Sequence, residues 1–211
     1  MHDLRKMIDT QNSVNTKTTG KDWGKKGHNW RRAILLEGAE LVDSFPWKWW
    51  KHGSADIENA KVELVDIWHF VLSMMVEEEI IIDDKLEKEL KAIVETDTLD
   101  HTSDLESVLH HMENVIKASI TDKSSVVIAK SVMKAAGSIG MTFDDIQKLY
   151  FGKAVLNTFR QSNGYADGTY KKMWNGVEDN VVMAELINNI AYSNHFDDDL
   201  GLLLQERYLV A

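Results

Sequence analysis

An all-α helical bundle, with a core of four or more helices, additional short helices and no significant sheet, is the fold class predicted. Three observations predict it. Proline occurs once in 211 residues, at Pro46. Apolar residues recur at helical spacing along most of the chain. No segment alternates at the two-residue period of a half-buried strand.

The first helix runs from about His2 to Thr16, with Leu4, Met7, Ile8 and Val14 on one side. Thr18 to His28 is rich in glycine and lysine and reads as a loop. Asn29 caps a second helix that extends to about Ser44, where Phe45-Pro46 stops it. A tryptophan-rich connector, WKWWKHGS, follows, and Ser54 or Asp56 starts a long helix through Met75 or beyond. From about Asp83 to Ala136 come three shorter amphipathic helices that carry no recognisable chemistry. Thr142 and Asp145 form an approximate capping box for a helix reaching Asn163, and Gly164 ends it. A loop to Gly176 and one or two helices complete the chain, with Asp197 to Asp199 as a solvated helix start. There is no internal repeat and no low-complexity segment. Residues 1–211 read as one domain in which about 83–140 form a helical insertion or subdomain.

Composition narrows the function. Hydrophobic residues make up 44% and charged residues 27%, as in globular proteins. A net charge of −10 argues against a nucleic-acid partner, which requires a basic footprint. It still admits an anionic substrate, because a bound metal inverts the local field. With no cysteine there is neither a disulfide framework nor a thiolate metal site. The charged segment MHDLRKMIDT does not read as a secretory signal, and the apolar run from Phe70 to Val76 is far short of a membrane span. The expectation is a cytoplasmic protein (host-cell cytoplasm if viral) with no membrane association.

Two acidic pairs share a three-residue step: Glu37 and Glu40 in LLEGAELVDS, and Glu63 and Asp66 in VELVDIWHF. Residues three apart project from one helical face. Each pair is embedded in apolar residues, and the short connector favours antiparallel packing that sets the pairs face to face. Four buried carboxylates would repel one another without a cation between them. Oxygen-only ligands select magnesium, manganese or calcium. The EF-hand pattern is missing, and a di-iron bundle wants Glu-x-x-His pairs, whereas His69 follows Asp66 by three and the other acidic pair lacks any such histidine, so magnesium is favoured, with two or more ions. The competing reading is that the acids simply lie on a solvated face.

Residues 146–175 carry Lys148, Lys153, Arg160, Lys171 and Lys172 against the single acid Asp167. Lys153, Asn157 and Arg160 share a helical face and offer a point charge, an amide and a planar bidentate donor, which suit a polyphosphate. The loop NGYADGTYKK that follows could fold over a triphosphate tail. The alternative is a basic face that balances an acidic surface.

These segments resemble the dimeric all-α dUTPases, a branch of the all-α nucleoside triphosphate pyrophosphatases. The resemblance rests on WRRAILLEGAELVDSFPWKWWK, VELVDIWHF and GKAVLNTFRQSNGYADGTYKKMWNGVEDN. It implies magnesium-dependent hydrolysis of dUTP, and of dUDP, to dUMP with release of pyrophosphate or phosphate, by a homodimer. It places magnesium on Glu37, Glu40, Glu63 and Asp66, with Glu37 or Glu40 also orienting and deprotonating the attacking water. It assigns Lys153, Asn157, Arg160, Tyr165 and Lys172 to the phosphates, Gln11 and Asn15 to uracil, and Trp47 and His69 to the nucleoside pocket. Val14 stands where the family usually has leucine. Of Trp47, Trp49 and Trp50, at least two read as core or dimer interface. Attack at the α- or β-phosphorus stays open. So do a different nucleotide, such as dCTP or a damaged base, and a non-catalytic helical interaction module.

Overall fold

The computed structural model describes residues 3–98, 104–121, 123–193 and 195–210. Among these the chain forms α1 (Asp3–Thr19), a short 3-10 turn (Trp23–Lys25), α2 (Trp30–Asp43), α3 (Ile57–Glu77), α4 (Asp84–Thr98), α5 (Leu105–Ile120) and α6 (Ser125–Ser138). It continues with α7 (Phe143–Ser162), β1 (Met173–Trp174), β2 (Val177–Glu178), α8 (Asp179–Asn188) and α9 (Phe196–Leu209). The expected first helical residue, His2, lies outside the described residues. Among the described residues, no single helix is long and apolar enough to cross a membrane.

Several helix boundaries follow from side-chain caps. Asn29 accepts the Arg32 N–H at 2.9 Å, Asp56 the Asn59 N–H at 3.0 Å and Asp104 the Ser107 N–H at 2.8 Å. Asp83 accepts the Leu86 N–H at 2.8 Å and fixes the start of α4. Thr142 and Asp145 cap α7 reciprocally, with the Thr142 N–H on Asp145 at 2.8 Å and the Asp145 N–H on the threonine hydroxyl at 3.2 Å. At the far end, Gly164 takes a φ of 90° and the Tyr165 N–H bonds the Arg160 carbonyl at 3.0 Å, a Schellman-type stop.

The chain divides into two compact units, residues 1–146 and 147–211. In the first, α3 is the central rod. It packs against α1, α2 and α6, and α2 also packs on α5. Trp68, Ile67, Val71 and Leu72 of α3 are fully buried, together with Leu4 and Met7 of α1 and Ile34 and Leu41 of α2. The helix is apolar nearly all round because neighbours cover it on several sides. Gly38 lets α2 approach α5: a Cβ there would stand 2.6 Å from Ile116 Cγ1.

In the second unit, α7 packs on α8 and α9 around Gly152, where a Cβ would meet Ile187 Cγ2 at 3.0 Å. Phe159, Tyr170, Trp174 and Tyr208 form an aromatic cluster, with the Tyr170 and Tyr208 rings stacked at 5.3 Å. The two-residue strands pair antiparallel, Met173 with Glu178 and Trp174 with Val177. Asn175 and Gly176 both take positive φ, 51° and 83°, as the tight turn demands. This hairpin is a departure from the expected loop, and Asn-Gly was its signal.

Candidate active site

Glu37 is set on α2, and Glu63 and Asp66 on α3, and the packing of these two helices brings three of the four expected acids together. One carboxylate oxygen from each lies within 4.8 Å of the other two. Glu40, one turn beyond Glu37, is exposed and stands outside this group of three. Its charge is nonetheless felt at Glu63, which is 8% exposed. Burial pushes the Glu63 carboxyl up to about 8, reinforced by the charges of Asp66 and Glu37, a hydrogen bond with Glu37, and the charge of Glu40. Such a cluster is electrostatically short of positive charge. Its all-oxygen donor set fits a hard divalent cation and offers nothing to a soft one.

Next to the acids along α3, a second arrangement is assembled from α1 and α3. His69 Nδ1 and Gln11 Oε1 are 2.7 Å apart, Gln11 Nε2 donates to Asn15 Oδ1 at 2.9 Å, and Asn15 Nδ2 donates to Ser73 Oγ at 2.9 Å. The Ser73 hydroxyl in turn donates to the His69 carbonyl, four residues back on its own helix, at 2.9 Å. All four residues are buried. Polar side chains at this depth need partners, and here they supply one another. Gln11, Asn15 and His69 were singled out in the sequence; Ser73 was not. Trp47 stands on the connector, 40% exposed, edge-on to Trp50 at 5.6 Å and beneath the Lys48 ammonium.

In the second unit Lys153, Asn157 and Arg160 stand on α7, and Tyr165 and Lys172 on the segment that follows it. Arg160 makes a bidentate pair with the fully buried Asp179, Nε at 2.8 Å and Nη2 at 2.7 Å, and reaches Asn180 at 3.0 Å and Asn157 at 3.3 Å. Lys153, itself buried, donates to Asn180 at 2.8 Å. The Tyr170 hydroxyl donates to Asp179 at 2.7 Å, and burial followed by that carboxylate pushes its phenol well up. Tyr165 lies 5.9 Å from the Arg160 guanidinium, and Lys172 pairs with Glu178 at 2.6 Å, which raises the lysine. Asp179, Asn180 and Tyr170 therefore belong to this constellation. For Asp179 and Asn180 the signal was the VEDN segment, whose acid and amide had no assigned partner.

The family model described as dUTPase matches residues 3–165 of this chain. No curated protein matches it.

Proposed function

Because the chain belongs to the all-α dUTPase family, it is a dUTP diphosphatase, and we propose that it works with magnesium held by Glu37, Glu40, Glu63 and Asp66. The observation that carries this reading is the convergence of the Glu37, Glu63 and Asp66 oxygens, with the Glu63 carboxyl raised by its neighbours. When bound, the ion supplies positive charge that neutralises the polyphosphate and makes nearby water more acidic. Glu37 or Glu40, the less buried pair, orients that water and takes its proton. Water adds at phosphorus and the phosphoanhydride bond breaks. Thus dUTP and water give dUMP and pyrophosphate, and dUDP and water give dUMP and phosphate.

Gln11 and Asn15 recognise uracil, since carboxamides both donate and accept and so match its two carbonyls and its N–H. His69 holds Gln11 in place, and Trp47 supplies an apolar wall for the nucleoside. Lys153, Asn157, Arg160, Tyr165 and Lys172 serve the phosphates. Asp179 and Glu178 temper the charge of Arg160 and Lys172, so these act as oriented donors more than as bare cations. Homodimerisation is supported by apolar side chains left exposed on α2 and its connector: Leu36, Trp49 at 90% and Trp50.

Product analysis on dUTP with and without magnesium tests the reading. Pyrophosphate and dUMP should appear only with the ion. Glu63→Gln should lower turnover by more than about a hundredfold while helicity by circular dichroism stays the same, since a ligand charge counts for more than the ~10–100-fold typical of outer-shell partners. Full activity in that variant would remove the metal assignment. A nucleotide panel should rank dUTP above dCTP.

A further inference from the structure

We infer that Ser73 is a positioning residue that sets the direction of the Gln11–Asn15–His69 relay and thereby determines selection of uracil over cytosine. The inference rests on the proposed reading of Gln11 and Asn15 as the residues that meet the base. Each carboxamide in the relay has two orientations that differ by exchange of its donor and acceptor ends. Along a chain of such groups the orientations are linked, because each donor must face an acceptor. The relay therefore has only two consistent polarities, and something outside the amides must choose between them.

Ser73 makes that choice. Its hydroxyl has one proton, and this is donated to the His69 carbonyl at 2.9 Å. The oxygen is then left to accept, and it accepts from Asn15 Nδ2 at 2.9 Å. Asn15 must therefore turn Oδ1 to Gln11 Nε2, and Gln11 must turn Oε1 to His69 Nδ1. In the neutral ring, His69 then carries its proton on Nδ1. Ser73 is fully buried, so water cannot substitute for its hydroxyl. Reversal of the relay would exchange donor for acceptor at every remaining position on both amides. The same exchange distinguishes the uracil edge, N3–H beside O4, from the cytosine edge, N3 beside an amino group. One amide flip thus converts a reader of one base into an acceptor of the other.

The test measures kcat/KM for dUTP and dCTP in the wild-type protein, Ser73→Ala, Ser73→Thr and Asn15→Ala. Ser73→Ala should shrink the dUTP-to-dCTP ratio about tenfold, with the loss carried by KM rather than kcat, and Ser73→Thr, which keeps the hydroxyl, should restore the ratio. An intact ratio in Ser73→Ala combined with its collapse in Asn15→Ala would overturn the role of Ser73 alone. An intact ratio in both would overturn the uracil reading and the inference with it. A second measurement needs no variant: nitrogen-15 NMR of the neutral His69 ring in the wild-type protein should find the Nδ1–H tautomer. The Nε2–H tautomer would mean that the relay runs the other way and would refute the inference.

Discussion

With a carboxyl raised to about 8 against an ordinary value of 4.5, Glu63 keeps its proton in the native protein over a range where the unfolded chain has released it. Stability therefore falls as pH rises between those two values, because the unfolded state binds fewer protons there. In protein stripped of divalent ions, the melting temperature should decline from pH 5 to pH 8, and Glu63→Gln should flatten that slope. Saturating magnesium should abolish it in the wild-type protein, since the ion takes over the role of the proton. A flat profile in the stripped protein would show that Glu63 titrates normally. At this scale the sequence was informative where a residue type had to be explained by its surroundings. Glu63 and Asp66 stood out as acids among valines, and Gln11 and Asn15 stood out by resemblance. Ser73 gave no such signal, because a serine inside an apolar helix usually bonds its own backbone and ends its role there.

Elements explain why some residues converge and others do not. That α2 packs on α3 was readable from the short connector, and this contact delivers Glu37 to Glu63 and Asp66. Glu40 falls on the exposed side because a three-residue step stops about 60° short of a full helical turn and so swings it round from Glu37. The basic segment shows the opposite lesson: a window ending at residue 175 missed Glu178 and Asp179, whose pairing with Lys172 and Arg160 becomes visible only once the hairpin folds the chain back. Gly38 is the element-scale constraint on the acids. Gly38→Ala would push a methyl group onto Ile116 of α5, shifting α2 or the isoleucine at a cost of about 1–3 kcal/mol. A thermal melt should show the loss, and Gly38→Ala combined with Ile116→Val should recover part of it. No change in the single variant would mean that Ile116 turns aside freely.

For the molecule as a whole, the tryptophan connector carries the prediction. The sequence allowed core or interface for at least two of its tryptophans, and the structure leaves Trp49 and Trp50 largely exposed, edge-on at 5.4 Å. Solvent-facing aromatics of this size are characteristic anchors of a partner surface. In the proposed homodimer, Trp49→Glu should weaken association about thirtyfold or more, read as a shift toward monomer in sedimentation equilibrium. A species that sediments identically at all concentrations would detach the connector from assembly. Most of the architecture was legible in advance because capped, amphipathic helices announce their own ends. The assignment of Lys153 and Arg160 to buried networks was not, since burial is a property of the folded chain and not of a residue's neighbours in sequence.

Glu63, Asp66, His69 and Ser73 all belong to α3, an unbroken helix with a fixed rise of about 1.5 Å per residue. From Asp66 to Ser73 that amounts to about 10 Å along one rod. The helix is thus a ruler: acid end and amide end cannot drift apart or be tuned separately, and a molecule too short or too long to span the marks would engage one end only.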